Sequence, residues 1–124
     1  MRVGLISDVH ANRVALEAVL ADMPTVDALA CAGDVVGYNP WPAECVEMLR
    51  EREVPTVMGN HDRMVVERGS FRFNSMAQAG VKRAQKDLEA EGRRWLESLP
   101  ETRHAANARH KLNEWEAAGA APKA

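Results

Sequence analysis

The sequence predicts an α/β fold, a parallel β-α-β-α-β unit followed by helices. Three observations carry that prediction. Short apolar runs at 2–7, 28–34 and 54–60 each lead into a polar loop that holds an Asp. Two helix-period stretches separate them, and past residue 60 no further β-rich run follows. Such alternation argues for a parallel sheet with right-handed crossovers.

In chain order, RVGLIS (2–7) is the first strand. Val14, Leu16, Val19 and Leu20, with Ala between them, form a helical stretch expected to stop before Pro24. ALACAGD (28–34) is the second strand and closes on Gly33-Asp34. Pro40 and Pro42 punctuate the next loop, and a helix over 43–52 turns Cys45, Val46, Met48 and Leu49 inward. VPTVMGN (54–60) is the third strand. All three runs read as apolar on both faces, the pattern of strands covered on both sides.

HDRMVVERG then has room for one helical turn or two and a Gly-containing loop. A helix is predicted over 75–90, capped by Asn74 or Ser75, with Met76, Val81, Ala84 and Leu88 on one stripe. Trp95, Leu96 and Leu99 mark a short helix ending at Pro100. The Ala-rich stretch after Arg103 offers only Leu112 and Trp115 as large anchors and reads as a weak helix over 105–118.

The whole chain sets bounds on function. Its 124 residues suit one modest domain, and 46% hydrophobic content is enough for a core. A net charge of −2 with scattered Lys and Arg predicts neither a nucleic-acid reader nor an anionic-membrane binder. No apolar run approaches the roughly 20 residues of a membrane span, and the acidic residue so early in MRVGLISDVH argues against a signal peptide. Cys31 and Cys45 lack metal-knuckle spacing and read as small buried hydrophobes in a reducing, cytoplasmic setting. The phosphate-binding patterns GxxxxGK[ST] and GxGxxG are absent, which disfavours a nucleotide-binding module.

The chemistry concentrates at the strand ends. Asp8 and His10 follow the first strand, Asp34 the second, and Asn60, His61 and Asp62 the third. Asp8 to Asp34 and Asp34 to Asn60 are each 26 positions, so one βα unit separates each cluster from the next. A parallel sheet brings all three to its carboxyl edge, where open α/β folds bind ligands. If the first loop is extended, Asp8 and His10, two apart, point the same way. Mixed carboxylate and imidazole donors suit Mn, Fe, Zn or Ni better than Ca or Mg. A central Asp34 flanked by Asp8 and His10 on one side and Asn60 on the other can bridge two ions about 3.5–4 Å apart. His61 can then protonate a leaving alkoxide, with Asp62 or Asp34 orienting it. Taken singly, Asp8 also fits the N-cap of the first helix, and NHD fits a plain turn.

The series DVH, GD and GNHD, with GDVVGYNPWP and WLESLP, resembles the calcineurin-like metallophosphoesterase superfamily, most of all its small prokaryotic phosphodiesterase branch. The resemblance covers about residues 1–100. It implies the amino-terminal half of a four-layer α/β/β/α sandwich with two divalent transition metals, Mn first among them. It further implies Asp8 and His10 as ligands of one metal, Asp34 as the bridge, Asn60 as a ligand of the other, and His61 with Asp62 as catalytic residues. The implied substrate is a small phosphomonoester or phosphodiester.

The family also draws His ligands from later segments, whereas the later histidines here, His104 and His110, sit in the Ala-rich stretch. Residues 1–103 are therefore read as a partial domain and 104–124 as a tail. Two functional expectations follow: a metal-dependent phosphoesterase, or a catalytically impaired relative that binds metal weakly. With the second sheet missing, an uncovered sheet face would favour self-association.

Overall fold

The computed structural model describes residues 1–67 and 74–101. Its elements are β1 (Val3–Ile6), α1 (Arg13–Asp22), β2 (Ala28–Cys31), α2 (Pro42–Glu51), α3 (Asn60–Glu67), α4 (Ser75–Asp87) and α5 (Ala90–Glu97). The Gly loop at 68–73, the weak helix expected over 105–118, and His104 and His110 lie outside the described residues.

β1 and β2 pair in parallel, with Val3 opposite Ala28 and Ile6 opposite Cys31. The predicted third strand is present as single bridges rather than as a ladder to residue 60. Cys31 N–H donates to Pro55 O and Val57 N–H to Cys31 O, giving a parallel bridge between Cys31 and Thr56. Met58 N–H then donates to the Pro100 carbonyl, and Met58 forms a parallel bridge with Glu101. The segment thus lies beside β2 as expected. Its outer neighbour comes from the end of the described chain, where no β run was anticipated. Proline at 55 removes one ladder donor, which helps explain why regular pairing does not extend.

The helices largely follow their sequence signals. α1 begins at Arg13 because Asn12 accepts the Ala15 N–H through its Oδ1 at 3.0 Å. Asp8 is therefore not its cap, which leaves that carboxylate for other work. Pro42 at the start of α2 supplies a preset φ without forfeiting a helical hydrogen bond. Asn74 caps α4 by accepting from Ala77 N–H at 2.8 Å. The short helix marked by Trp95 and Leu96 is present as α5, which opens with Arg93 N–H donating to Glu89 O at 2.9 Å and stops before Pro100.

The core gathers Leu16, Cys31, Val35, Val36, Val46, Leu49, Met64, Val65, Ala84 and Leu96 between the sheet and α2–α5. Cys31 and Cys45 are both buried free thiols. One correction concerns α4: Met76 is 73% exposed, and the buried stripe is Ala77, Gly80, Val81 and Ala84. Small residues win that face because the helix lies against the 37–38 backbone, where a long side chain has no room. On the sheet, Val3 and Leu5 are 51% and 70% exposed, so the face they share is open among the described residues, not covered as the apolar runs suggested. Among these residues no helix is long and apolar enough to cross a membrane.

Candidate metal centre

Three loops meet at the carboxyl ends of β1, β2 and the 55–58 segment. They are stitched by backbone bonds: Asp8 N–H donates to Gly33 O, His10 N–H to Asp34 O, and Ala11 N–H to Val35 O, at 2.8–3.0 Å. Gly33 (φ +102°) lets the second loop press against the third. A Cβ on it would lie 2.7 Å from Gly59 N and 2.8 Å from Val57 O.

The donors converge by a route the sequence reading did not foresee. Asp8, His10 and Asp34 have φ of 56°, 46° and 55°, all in the left-handed region. The first loop is thus a tight turn rather than an extended segment. Left-handed backbone is unfavourable for residues with a Cβ and persists where surrounding contacts enforce it, commonly at functional sites. The result is that one ligand atom each from Asp8, His10 and Asp34 lies within 4.8 Å of the other two.

His10 is oriented as a ligand requires. Its Nδ1 lies 3.3 Å from the Val36 carbonyl, which can only accept, so Nδ1 carries the proton in that bond. Nε2 faces Asp8, 3.4 Å from its Oδ1. A histidine that donates its second ring N–H to a backbone carbonyl is the usual arrangement behind a metal bond. The Asp8 side chain is 64% exposed and the His10 side chain 20%, so the cluster has a solvent mouth.

Asn60 completes the arc. Its amide nitrogen lies 3.1 and 3.2 Å from the two Asp34 carboxylate oxygens. Rotation of the amide would present its oxygen to the same space. His61 N–H donates to Asp34 Oδ1 at 2.9 Å, which fixes Asp34 at the start of α3.

Asp62 is fully buried and acts on the backbone. Its Oδ1 accepts from Val35 N–H (2.9 Å) and Val36 N–H (3.1 Å). Its Oδ2 accepts from Asp34 N–H and Gly59 N–H, each at 2.9 Å. The Gly59 bond has the i, i+3 reach-back of a capping box. Burial pushes the Asp62 carboxyl up to about 6, while the amides of Gly59, Val36 and Asp34 pull it down. The His61 imidazole is held below its ordinary value, chiefly by burial.

His10, His61 and Tyr38 form a cluster of rings with centroids 4.7–5.0 Å apart. Tyr38 belongs to the GDVVGYNPWP stretch, and only the fold sets its ring beside the two histidines. Gly37 (φ +101°) passes His61 so closely that a Cβ there would sit 2.7 Å from the ring Nδ1.

The six candidates therefore adjoin one another: Asp8 and His10 in the loop after β1, Asp34 in the loop after β2, and Asn60, His61 and Asp62 in the first turn of α3. The donor chemistry fits a divalent transition metal. Two ligands at 2.0–2.2 Å from one ion are at most about 4.4 Å apart, and the three donor atoms already lie within 4.8 Å of one another.

Comparison with known proteins shows the family to which the chain belongs. A family model described as calcineurin-like phosphoesterase matches residues 1–118. An uncharacterized protein of Methanocaldococcus jannaschii is 38% identical over 101 residues, 79% of this chain and 42% of that protein. A crystal structure of a metallophosphoesterase from Sphaerobacter thermophilus is 48% identical with a TM-score of 0.67, over 81% of this chain and 42% of its own. A hypothetical protein from Pyrococcus horikoshii shares the fold at 18% identity and a TM-score of 0.63, over 80% and 48%. The chain spans less than half the length of each of these proteins.

Proposed function

The chain belongs to the calcineurin-like phosphoesterase family, and from that premise we propose that it builds a metal-dependent phosphoesterase site for a small phosphomonoester or phosphodiester. The observation that carries the proposal is the convergence of Asp8, His10 and Asp34 within 4.8 Å, on turns whose backbone is enforced by the neighbouring loops. Asp8, His10 and Asp34 would hold one divalent transition ion, and Asn60, beside Asp34, would serve a second. Mn is the first candidate. Such ions supply Lewis-acid stabilisation of phosphoryl oxygens and a water nucleophile active at neutral pH.

The chain's own groups do the rest. The Val36 carbonyl fixes the His10 tautomer, so its lone pair is presented without a competing proton. Asp34 is oriented by the His61 amide. His61, packed against the His10 ring, protonates the leaving oxygen. Asp62 supports this placement indirectly, by fastening the first turn of α3 to the loop after β2.

The test is metal content of the purified chain together with turnover of p-nitrophenyl phosphate and bis-p-nitrophenyl phosphate. Stoichiometric Mn and hydrolysis that is lost in Asp34→Asn and in His61→Ala are expected. Less than one tight metal per chain with no turnover of either ester overturns the reading.

A further inference from the structure

Tyr38 is an anomaly in a structural role. It is the only tyrosine of the chain, and it takes a left-handed backbone (φ 59°) that a bulky residue adopts at a cost. Folding does not recover that cost through burial, because the residue is 42% exposed. An Asn or Gly would serve the same turn with less strain and no exposed ring.

The surroundings nevertheless hold it firmly. α4 approaches so closely at Gly80 that any Cβ there would collide with the Tyr38 amide nitrogen and lie 2.6 Å from its Cα. Asn39 ties the far side of the turn to the His10 carbonyl, through its backbone N–H at 3.3 Å and its Nδ2 at 2.9 Å. The ring meets His10 edge-on (81°, centroids 5.0 Å apart) and His61 at a tilt of 39° and 4.8 Å. It is thereby fixed beside the two histidines of the site. Tyr38 also lines an open groove of about 460 Å³ together with Asp8, His10, Asn12 and Asn39.

We propose that Tyr38 is a specificity-determining residue whose ring stacks on a planar aromatic group carried by the phosphate ester. The inference rests on the phosphoesterase reading above, since it places the phosphate at Asp8 and His10 and the rest of the ester along the groove. A rigid, half-exposed ring gives contact area at little entropic cost, and offset or edge-on stacking favours a flat aromatic partner over a flexible alkyl one. The carboxamide ends not used in capping α1 or in binding the His10 carbonyl, Asn12 Nδ2 and Asn39 Oδ1, suit the polar edges of such a group.

The experiment is calorimetric titration of the Mn-loaded full chain with three non-hydrolysable ligands: phenylphosphonate, propylphosphonate, and the AMP analogue whose bridging ester oxygen is replaced by methylene. Phenylphosphonate is expected to bind about tenfold or more tighter than propylphosphonate, the size of one stacking contact. The ratio should survive in Tyr38→Phe. It should fall to near one in Tyr38→Asn, a replacement that the left-handed backbone favours and that therefore folds. Tighter binding of the AMP analogue than of phenylphosphonate would make the aromatic group a nucleoside, and weaker binding would make it a simple aryl group. Equal binding of phenylphosphonate and propylphosphonate, or an unchanged ratio in Tyr38→Asn, overturns this proposal alone. Binding of none of the three ligands overturns it together with the phosphoesterase reading.

Discussion

Replacing Asp62 by Asn tests how the site is held together. The carboxylate accepts four backbone N–H groups, two on each oxygen. Asn keeps one oxygen and therefore one pair of bonds, and its NH2 group faces the two amides that lose theirs. Whichever way the amide turns, at least one of the stranded pair belongs to the loop after β2, which carries Asp34. Leaving a buried amide unsatisfied costs about 1–3 kcal/mol, so two cost about 2–6 kcal/mol. Removal of a charge that burial disfavours, as its upward shift to about 6 records, offsets part of this. The expected net loss is about 2–3 kcal/mol, a large share of the roughly 6–15 kcal/mol that a chain of this size commands. Urea unfolding followed by far-UV circular dichroism gives the number, from a lower midpoint at an unchanged slope. Added Mn should raise the variant's midpoint less than the wild type's, because the Asp34 turn loosens. A loss under about 0.5 kcal/mol at equal slope would show that the four bonds do not hold the loops, and the argument would fail.

Three further outcomes follow from other parts of the molecule. Gly80→Ala places a methyl group against the Tyr38 backbone and should cost about 1–3 kcal/mol, read as a lower thermal midpoint, while a neutral result would mean that α4 does not press on that turn. Burial pushes the Cys45 thiol up to about 12 from an ordinary value of 9.0. Because its folded value is raised, its stabilising contribution is complete below about pH 9 and is lost as pH rises toward 12, up to about 4 kcal/mol. Alkylation of Cys45 at pH 8.5 should therefore proceed only as fast as the chain opens, and labelling at the rate of a free thiol would refute it. Leu5, 70% exposed on the open sheet face, is proposed to drive self-association, so sedimentation should show concentration-dependent oligomers that Leu5→Lys shifts toward monomer.

Much of this molecule can be read from local pattern. Asn74 before SMAQAG announces α4, and its side chain caps that helix. The 26-residue spacing of Asp8, Asp34 and Asn60 foretells their meeting, since a parallel sheet repeats its strand ends once per βα unit. Other features depend on contacts between distant segments. Met76 fits a helical stripe by spacing, yet it faces outward because Gly80 must approach residue 38. Asp62 looks like a partner for a neighbouring histidine, but its carboxylate is taken up by amides 26 to 28 residues away as well as by Gly59.

The sequence by itself determined which residues reach the site, because periodicity and topology are local properties written in residue type and spacing. Tertiary structure alone decided how they are presented. The left-handed turns at Asp8, His10, Asp34 and Tyr38 are disfavoured locally, and only the mutual packing of three loops and α4 makes them the lowest-energy choice.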